Sequence, residues 1–315
     1  MDQLLRDHES SMSPAIQSEL QSWILPVPVT LVLVVTALVY LRGWYRLKRL
    51  LPKIISVWRL AGFMSGLFAL WIAVGSPLAA FDDDLLSIHM VQHILLMAVA
   101  PPLILLGAPA LPLLHGLPQK FVRSGLGPLL RWPPLQRLGH ELTRPVVCWL
   151  TATVALIGWH TPSVFEFALR SDSWHEFEHT CFFATSILFW WPVVQPWPSV
   201  PRWPRWSIPA YLFLGMMAND AVSAFLALYD RVLYPSYASA SRTFPISPLE
   251  DQALAGAVMW VFGSFVYLFP AAVITLRMLS PNCSYQASSY DQRQESAAFH
   301  IITAEPLNGT EAGFV

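Results

Sequence analysis

Two histidine pairs in this sequence have a spacing that can bind a metal ion. His89 and His93 occur in HMVQH, and His175 and His179 occur in WHEFEHT. Residues four apart lie on one face of an α-helix, so both imidazoles of a pair can reach the same ion or cofactor. A fifth histidine, His160, lies between the pairs in GWHTP. We predict that these five histidines are metal ligands.

The ligand types favour copper. Imidazole suits copper, zinc and iron, whereas a thioether selects for copper(I). Met97 continues the stripe of His93 by four residues, and Met216 shares a helix face with Asp220. We predict copper as the ion, with Met97, Met216 and Asp220 as candidate secondary ligands. Zinc and haem stay open, because histidine and carboxylate ligands also hold zinc and two histidines can ligate haem axially.

Each functional interpretation has a plainer alternative. One His-x-x-x-His pair in a helix is usually coincidence, but two pairs with a fifth histidine favour function, since ionisable groups within membrane spans are costly. Asp82–Asp84, Glu176 and Glu178 flank the pairs and are interpreted as attracting a cation or orienting imidazoles. Asp220 has the alternative of a packing contact with Asn219.

The segments that must position these residues are hydrophobic. The chain has 315 residues, 55% hydrophobic and 12% charged, and its apolar residues form continuous runs of about the 20 residues that a spanning helix needs. Continuous runs exclude a barrel, which requires alternation. We predict an all-α, polytopic transmembrane helix bundle of seven spans, with a kink at Pro101 in the third. The spans are about 23–41, 57–79, 85–114, 145–163, 175–195, 208–229 and 252–279.

The ends of the chain differ from the membrane domain. Residues 1–22 are polar and lack the features of a signal peptide, so the first span is expected to direct insertion. We predict a polar N-terminal tail over 1–22, a membrane domain over 23–279 and a disordered C-terminal tail over 280–315. Glu250 and Asp251, at the start of the seventh span, are interpreted as caps of that helix. Trp44 and Trp190 are assigned to the interfacial belt.

The loop charges predict an orientation. Fifteen of the 19 Lys and Arg residues fall on one side of the seven-span arrangement. The positive-inside rule then places the N-terminus outside and the C-terminus in the cytoplasm. All five histidines come to the outer face of the membrane, where copper exchange with an oxidising compartment is feasible.

Several function classes are not supported. The net charge of -1 gives no electrostatic basis for nucleic-acid binding. The sequence has neither a Gly-x-Ser-x-Gly elbow nor a His-Glu-x-x-His helix, so we predict no catalytic residue and a protein that is not an enzyme. Three alternatives stay open: a haem-binding electron carrier, a membrane zinc hydrolase with Asp220 as its base, and a scaffold that recruits partners through its loops.

The segment HMVQHILLMAVAPPLILLGAP (89–109) resembles the signature of the CtaG-type cytochrome c oxidase assembly factors. Further similarities are WHTP at 159–162, LFWWPVV at 188–194, YPSYA at 234–238 and PLEDQALAGAVMWVFG at 248–263. The resemblance implies a seven-span protein of the bacterial inner membrane that is required to make a haem–copper oxidase. It also implies copper delivery through the five histidines, with oxidase subunits and periplasmic copper chaperones as partners.

The orientation can be tested with reporter fusions. Alkaline phosphatase joined after His160 is expected to be active, because the enzyme matures only outside the cytoplasm, and a fusion after Arg144 is expected to be inactive. A cytoplasmic position for His160 would reverse the predicted orientation.

Overall fold

The computed structural model of the chain describes residues 23, 25–50, 55–196, 203–239 and 244–280. Within these ranges all regular structure is helical, which confirms the predicted all-α class. The predicted tails, 1–22 and nearly all of 280–315, lie outside the described residues and stay predictions.

Twelve helical segments, besides a short 3-10 helix at Pro77–Ala80, follow one another along the described part of the chain. They are α1 (Val27–Leu50), α2 (Val57–Gly75), α3 (Leu86–Leu106), α4 (Ala110–Gly116), α5 (119–131, in three short pieces), α6 (Pro133–Leu142), α7 (Pro145–His160), α8 (Pro162–Ala168), α9 (Asp172–Val194), α10 (Ser207–Leu228), α11 (Pro235–Ser239) and α12 (Pro248–Leu279).

Five of these helices are long and apolar enough to cross a membrane: α1, α2, α3, α10 and α12. The pair α6 and α7, bent by 69° at its break, makes a sixth candidate. The chain is therefore a multi-pass membrane protein. The predicted fifth span corresponds to α9, which has 23 residues but includes Asp172, Glu176 and Glu178 in its first turns. The count of seven spans depends on α9 and stays a prediction.

The third span has a π-helical turn directly before the proline at which the kink is predicted, and the kink itself stays a prediction. Residues Leu95–Val99 form the turn, directly before Pro101. Proline has no N–H, so the carbonyl of Met97 loses its partner in the helix. Trp190 Nε1 of α9 donates to that carbonyl over 3.0 Å. The span predicted over 85–114 is divided, because α3 ends at Leu106 and the chain turns before α4 begins.

Trp190 is not a belt anchor, and neither is Trp44. Their side chains are 2% and 5% exposed, respectively. Trp44 Nε1 donates to the carbonyl of Ser56 over 3.3 Å, as Trp190 does to Met97. The composition shows only that tryptophan is abundant. Whether a given tryptophan is buried depends on which helices it faces.

The first turn of α3 is capped from α12. The Asp251 carboxylate accepts hydrogen bonds from the backbone N–H groups of Leu86 (2.7 Å) and Ser87 (3.2 Å) and from the Ser87 hydroxyl. The first N–H groups of a helix have no partner within it, so Asp251 satisfies them from a neighbouring helix. The interpretation of Asp251 as a cap of its own helix is wrong. Ser247 and Glu250 form that cap, a capping box.

Two glycines allow α1 and α4 to pack with their backbones in contact. A Cβ added at Gly43 of α1 would lie 1.7 Å from the Pro112 carbonyl oxygen of α4, and one at Gly116 would lie 1.9 Å from the Val39 carbonyl oxygen. Small residues that let helices approach closely are a common basis of packing in membranes.

We expect Gly43→Ala to destabilise the protein by about 1–3 kcal/mol, because the added methyl group forces α1 and α4 apart. The measurement is the thermal midpoint of the detergent-solubilised protein. Gly158→Ala on α7 is the matched control, since a Cβ there meets nothing within 4 Å. Equal midpoints for the two variants would show that the close approach of α1 and α4 contributes no stability.

Candidate metal centre

The ends of three helices bring the five predicted histidines into one cluster. His89 and His93 lie in the first turns of α3, His160 is the last residue of α7, and His175 and His179 lie in the first turns of α9. Ring centroids are 5.0 Å apart for His89 and His175, 5.5 Å for His93 and His179, and 5.6 Å for His93 and His160. Residues separated by up to 90 positions thus share one site.

The cluster contains buried polar atoms that have no hydrogen-bond partner among the described residues. These atoms are Nε2 of His89, His93, His160, His175 and His179, Nδ1 of His93, and both carboxylate oxygens of Glu178. An unsatisfied buried donor or acceptor costs about 1–3 kcal/mol, and more for charged groups. A bound cation would serve as the shared partner of these lone pairs, so the donor set fits a metal ion.

Glu178 is the site residue that sequence reasoning undervalued. Its side chain is fully buried, and Oε1 lies 3.7 Å from His93 Nε2. The sequence contained a signal, because Glu178 follows His175 by three positions and therefore shares its helix face. Glu176, treated as its equivalent, is exposed. Only the structure separates the two glutamates.

Two groups of residues can each hold a metal ion, and the groups overlap. Within each group, three ligand atoms lie within 4.8 Å of one another. The first set consists of His89, His175 and His179. The second consists of His89, His93 and Glu178. Three nitrogen ligands leave an open position on a tetrahedral ion, and the second set adds an anionic oxygen to two nitrogens.

Hydrogen bonds outside the cluster orient two of the imidazoles. The Tyr237 hydroxyl donates to the Asp82 carbonyl oxygen (2.8 Å), so its oxygen accepts from the Nδ1–H of His89 (3.2 Å). The Nδ1–H of His160 donates to the Leu156 carbonyl oxygen (2.8 Å). In each ring the bonded nitrogen holds the proton, so Nε2 presents its lone pair to the cluster. Partners of this kind fix the tautomer of a ligating histidine.

The surroundings of Tyr237 keep its hydroxyl group protonated. Burial raises the pKa of Tyr237 well above its ordinary value, and the nearby Asp82 carboxylate adds to the effect. Burial also raises the pKa of Asp82 to about 7, with a further contribution from the charge of Asp83. Tyr237 therefore stays a hydrogen-bond donor throughout the physiological pH range.

The candidate secondary ligands are placed in packing environments. Met97 packs against the apolar cluster that contains Met90 and Leu156. Met216 belongs to a different apolar cluster, with Trp190 and Tyr267. Asp220 accepts hydrogen bonds from Ser264 of α12 (3.0 Å) and from Asn219 (3.4 Å). These contacts support the alternative interpretation of Asp220, a polar contact between α10 and α12.

The chain belongs to the cytochrome c oxidase caa3 assembly factor family (Caa3_CtaG), whose sequence model matches residues 38–280. This match confirms the resemblance noted in the sequence, and it includes every residue of the cluster. The chain is 27% identical over 259 residues to the uncharacterized protein Mb0105 of Mycobacterium bovis and to the uncharacterized protein MT0111 of Mycobacterium tuberculosis. It is 25% identical over 238 residues to the uncharacterized protein ML1998 of Mycobacterium leprae.

The alignments with the first two relatives cover 80% of this chain, and the third covers 72%. The chain nevertheless spans only 39% of the length of the first two relatives and 35% of the third. No solved structure matches the chain.

Tyr237→Phe is expected to lower the affinity of the purified protein for an added metal ion, with Cu²⁺ as the probe, about 10–100-fold, the usual effect of losing a partner that orients a ligating histidine. The phenyl ring fills the same space but leaves His89 free to change tautomer and rotate. The measurement is competition with a chromophoric copper chelator. Tyr229→Phe is the control, since the Tyr229 side chain is 39% exposed. Equal affinities of the two variants would contradict a positioning role for Tyr237.

Proposed function

We propose that this protein is a membrane assembly factor, not an enzyme, that holds copper in the histidine cluster and delivers it to a haem–copper cytochrome c oxidase. The observation that supports the proposal is the convergence of six side chains from α3, α7 and α9, each with a buried ligand atom that has no hydrogen-bond partner among the described residues. Membership of the caa3 assembly factor family supports the oxidase as the recipient. The proposed location is the bacterial inner membrane.

The ligand chemistry supports copper as the cargo. The cluster offers neutral imidazoles and one carboxylate, and imidazole is a preferred ligand of copper. Neither described cysteine, Cys148 or Cys181, belongs to a set of ligand atoms found among the described residues. An ion without thiolate ligands is held less tightly and can be released to an acceptor.

The position of the cluster suits transfer. It lies at the start of α3 and α9 and at the end of α7, so all its ligands are near one membrane face. Under the predicted orientation this is the outer face. A set of three ligands leaves a coordination position for an incoming ligand of the oxidase. The ion can then pass between proteins without entering water, and periplasmic copper chaperones are the proposed source.

The geometry gives less support to the alternatives. The histidine rings are in direct contact, with His89 and His175 stacked at 5.0 Å, and no porphyrin plane fits between rings so close. A zinc hydrolase would use the same three-histidine set. Its proposed base, Asp220, is instead engaged by Ser264 and Asn219.

Replacing all five histidines with alanine is expected to abolish copper binding by the purified protein and to lower the copper content of the oxidase in cells that make only the variant. His115→Ala is the matched control, because His115 lies on α4 and its Nδ1 is bonded to the Leu111 carbonyl oxygen. Normal oxidase copper content in the fivefold variant would refute the proposal. Stoichiometric zinc or a Soret band in the native protein would favour the alternatives.

A further inference from the structure

We propose that the cluster is a two-position copper site whose positions share His89. The outer position is formed by His89, His175 and His179, and the inner position by His89, His93 and Glu178. This inference rests on the proposed function and adds a path for the ion within the protein.

The shared histidine makes the two positions alternatives. Each position corresponds to one of the two sets of ligand atoms within 4.8 Å, and His89 belongs to both. Its Nδ1 is bonded to the Tyr237 hydroxyl, so Nε2 is the only nitrogen that it can offer an ion. A neutral imidazole has one available lone pair. His89 can therefore bind an ion in only one position at a time.

The two positions differ in accessibility. His175 and His179 of the outer position are half-buried, whereas His93 and Glu178 of the inner position are 1% and 0% exposed. An ion that arrives from the membrane face therefore meets the outer histidines first. This difference in exposure gives the pathway its direction.

The two positions also differ in charge. The outer position is neutral, while Glu178 gives the inner position a carboxylate. In a poorly hydrated site, a cation is stabilised far more by an anionic ligand than it would be in water. The ring of His160 lies 5.6 Å from that of His93, but His160 belongs to neither set of ligand atoms. Charge therefore favours the inner position as the holding site.

Movement between the positions requires ligand exchange only. The bonds to His175 and His179 break as those to His93 and Glu178 form, while the bond to His89 persists. No electron is transferred, and the ion is never released. Outward delivery to an acceptor is the reverse of the same exchange.

The test loads the purified full-length protein with Cu²⁺ alone and records electron paramagnetic resonance spectra. The native protein is expected to bind one copper ion per chain in two spectroscopic species, one with nitrogen ligands only and one with nitrogen and oxygen. Glu178→Gln is expected to lose the mixed nitrogen–oxygen species. Glu176→Gln, two residues away and exposed, is the matched control and is expected to keep both species.

The double variant His175→Ala/His179→Ala tests the same site from its accessible side. It is expected to lose the nitrogen-only species and to keep the mixed one, so the inference stays testable even where Glu178→Gln fails to fold.

Three results would overturn the inference. A single species in the native protein that Glu178→Gln leaves unchanged would exclude the inner position while leaving copper binding by the histidines intact. Binding of two copper ions per chain would show that both positions can be filled at once, and would exclude the proposal that they share His89. A native protein that binds no copper would overturn the proposed function as well.

Discussion

The constraint on which the rest of this structure depends is a group of six polar side chains, each with a buried nitrogen or oxygen atom that has no hydrogen-bond partner among the described residues. Each such group loses its water on burial, and the loss is recovered only when a partner takes that place. The Nε2 atoms of the five histidines and both oxygens of Glu178 have no such partner among the described residues. The surrounding helices therefore have to hold the side chains in an arrangement that would otherwise separate.

The surrounding structure does this by fixing α3 at two levels. Asp251 of α12 satisfies the N–H groups at the beginning of α3, three residues before His89. Trp190 of α9 satisfies the carbonyl that Pro101 leaves unpaired, four residues after His93. Both contacts use backbone groups that have no partner within α3. The helix is therefore attached to its neighbours while the histidine side chains stay available as ligands. Tyr237 then sets the orientation of His89 from the loop that contains α11.

Local pattern in the sequence was sufficient for the helices and for the pairing of histidines on each face, since the positions of residues four apart follow from helix geometry alone. The same reasoning extends to Glu178, three positions after His175. It does not extend to Asp251 or Tyr237, whose hydrogen-bond partners in α3 are 165 and 148 positions away, respectively. Such contacts depend on which helices become neighbours, and hydrophobic runs do not encode that choice. Trp190 illustrates the same limit, because an aromatic residue near a span end can face lipid or a partner helix.

The cap supplied by Asp251 has a consequence for the opposite side of the membrane. With 32 residues, α12 is about 48 Å long at the helical rise, and even at a tilt of about 40° it extends about 37 Å along the membrane normal, against a hydrocarbon core of about 30 Å. Its first turn is fixed at the level of the α3 start. We therefore expect the surplus length to emerge at the far end, near Arg277, so that one carboxylate links the depth of the histidine cluster to the position of that arginine.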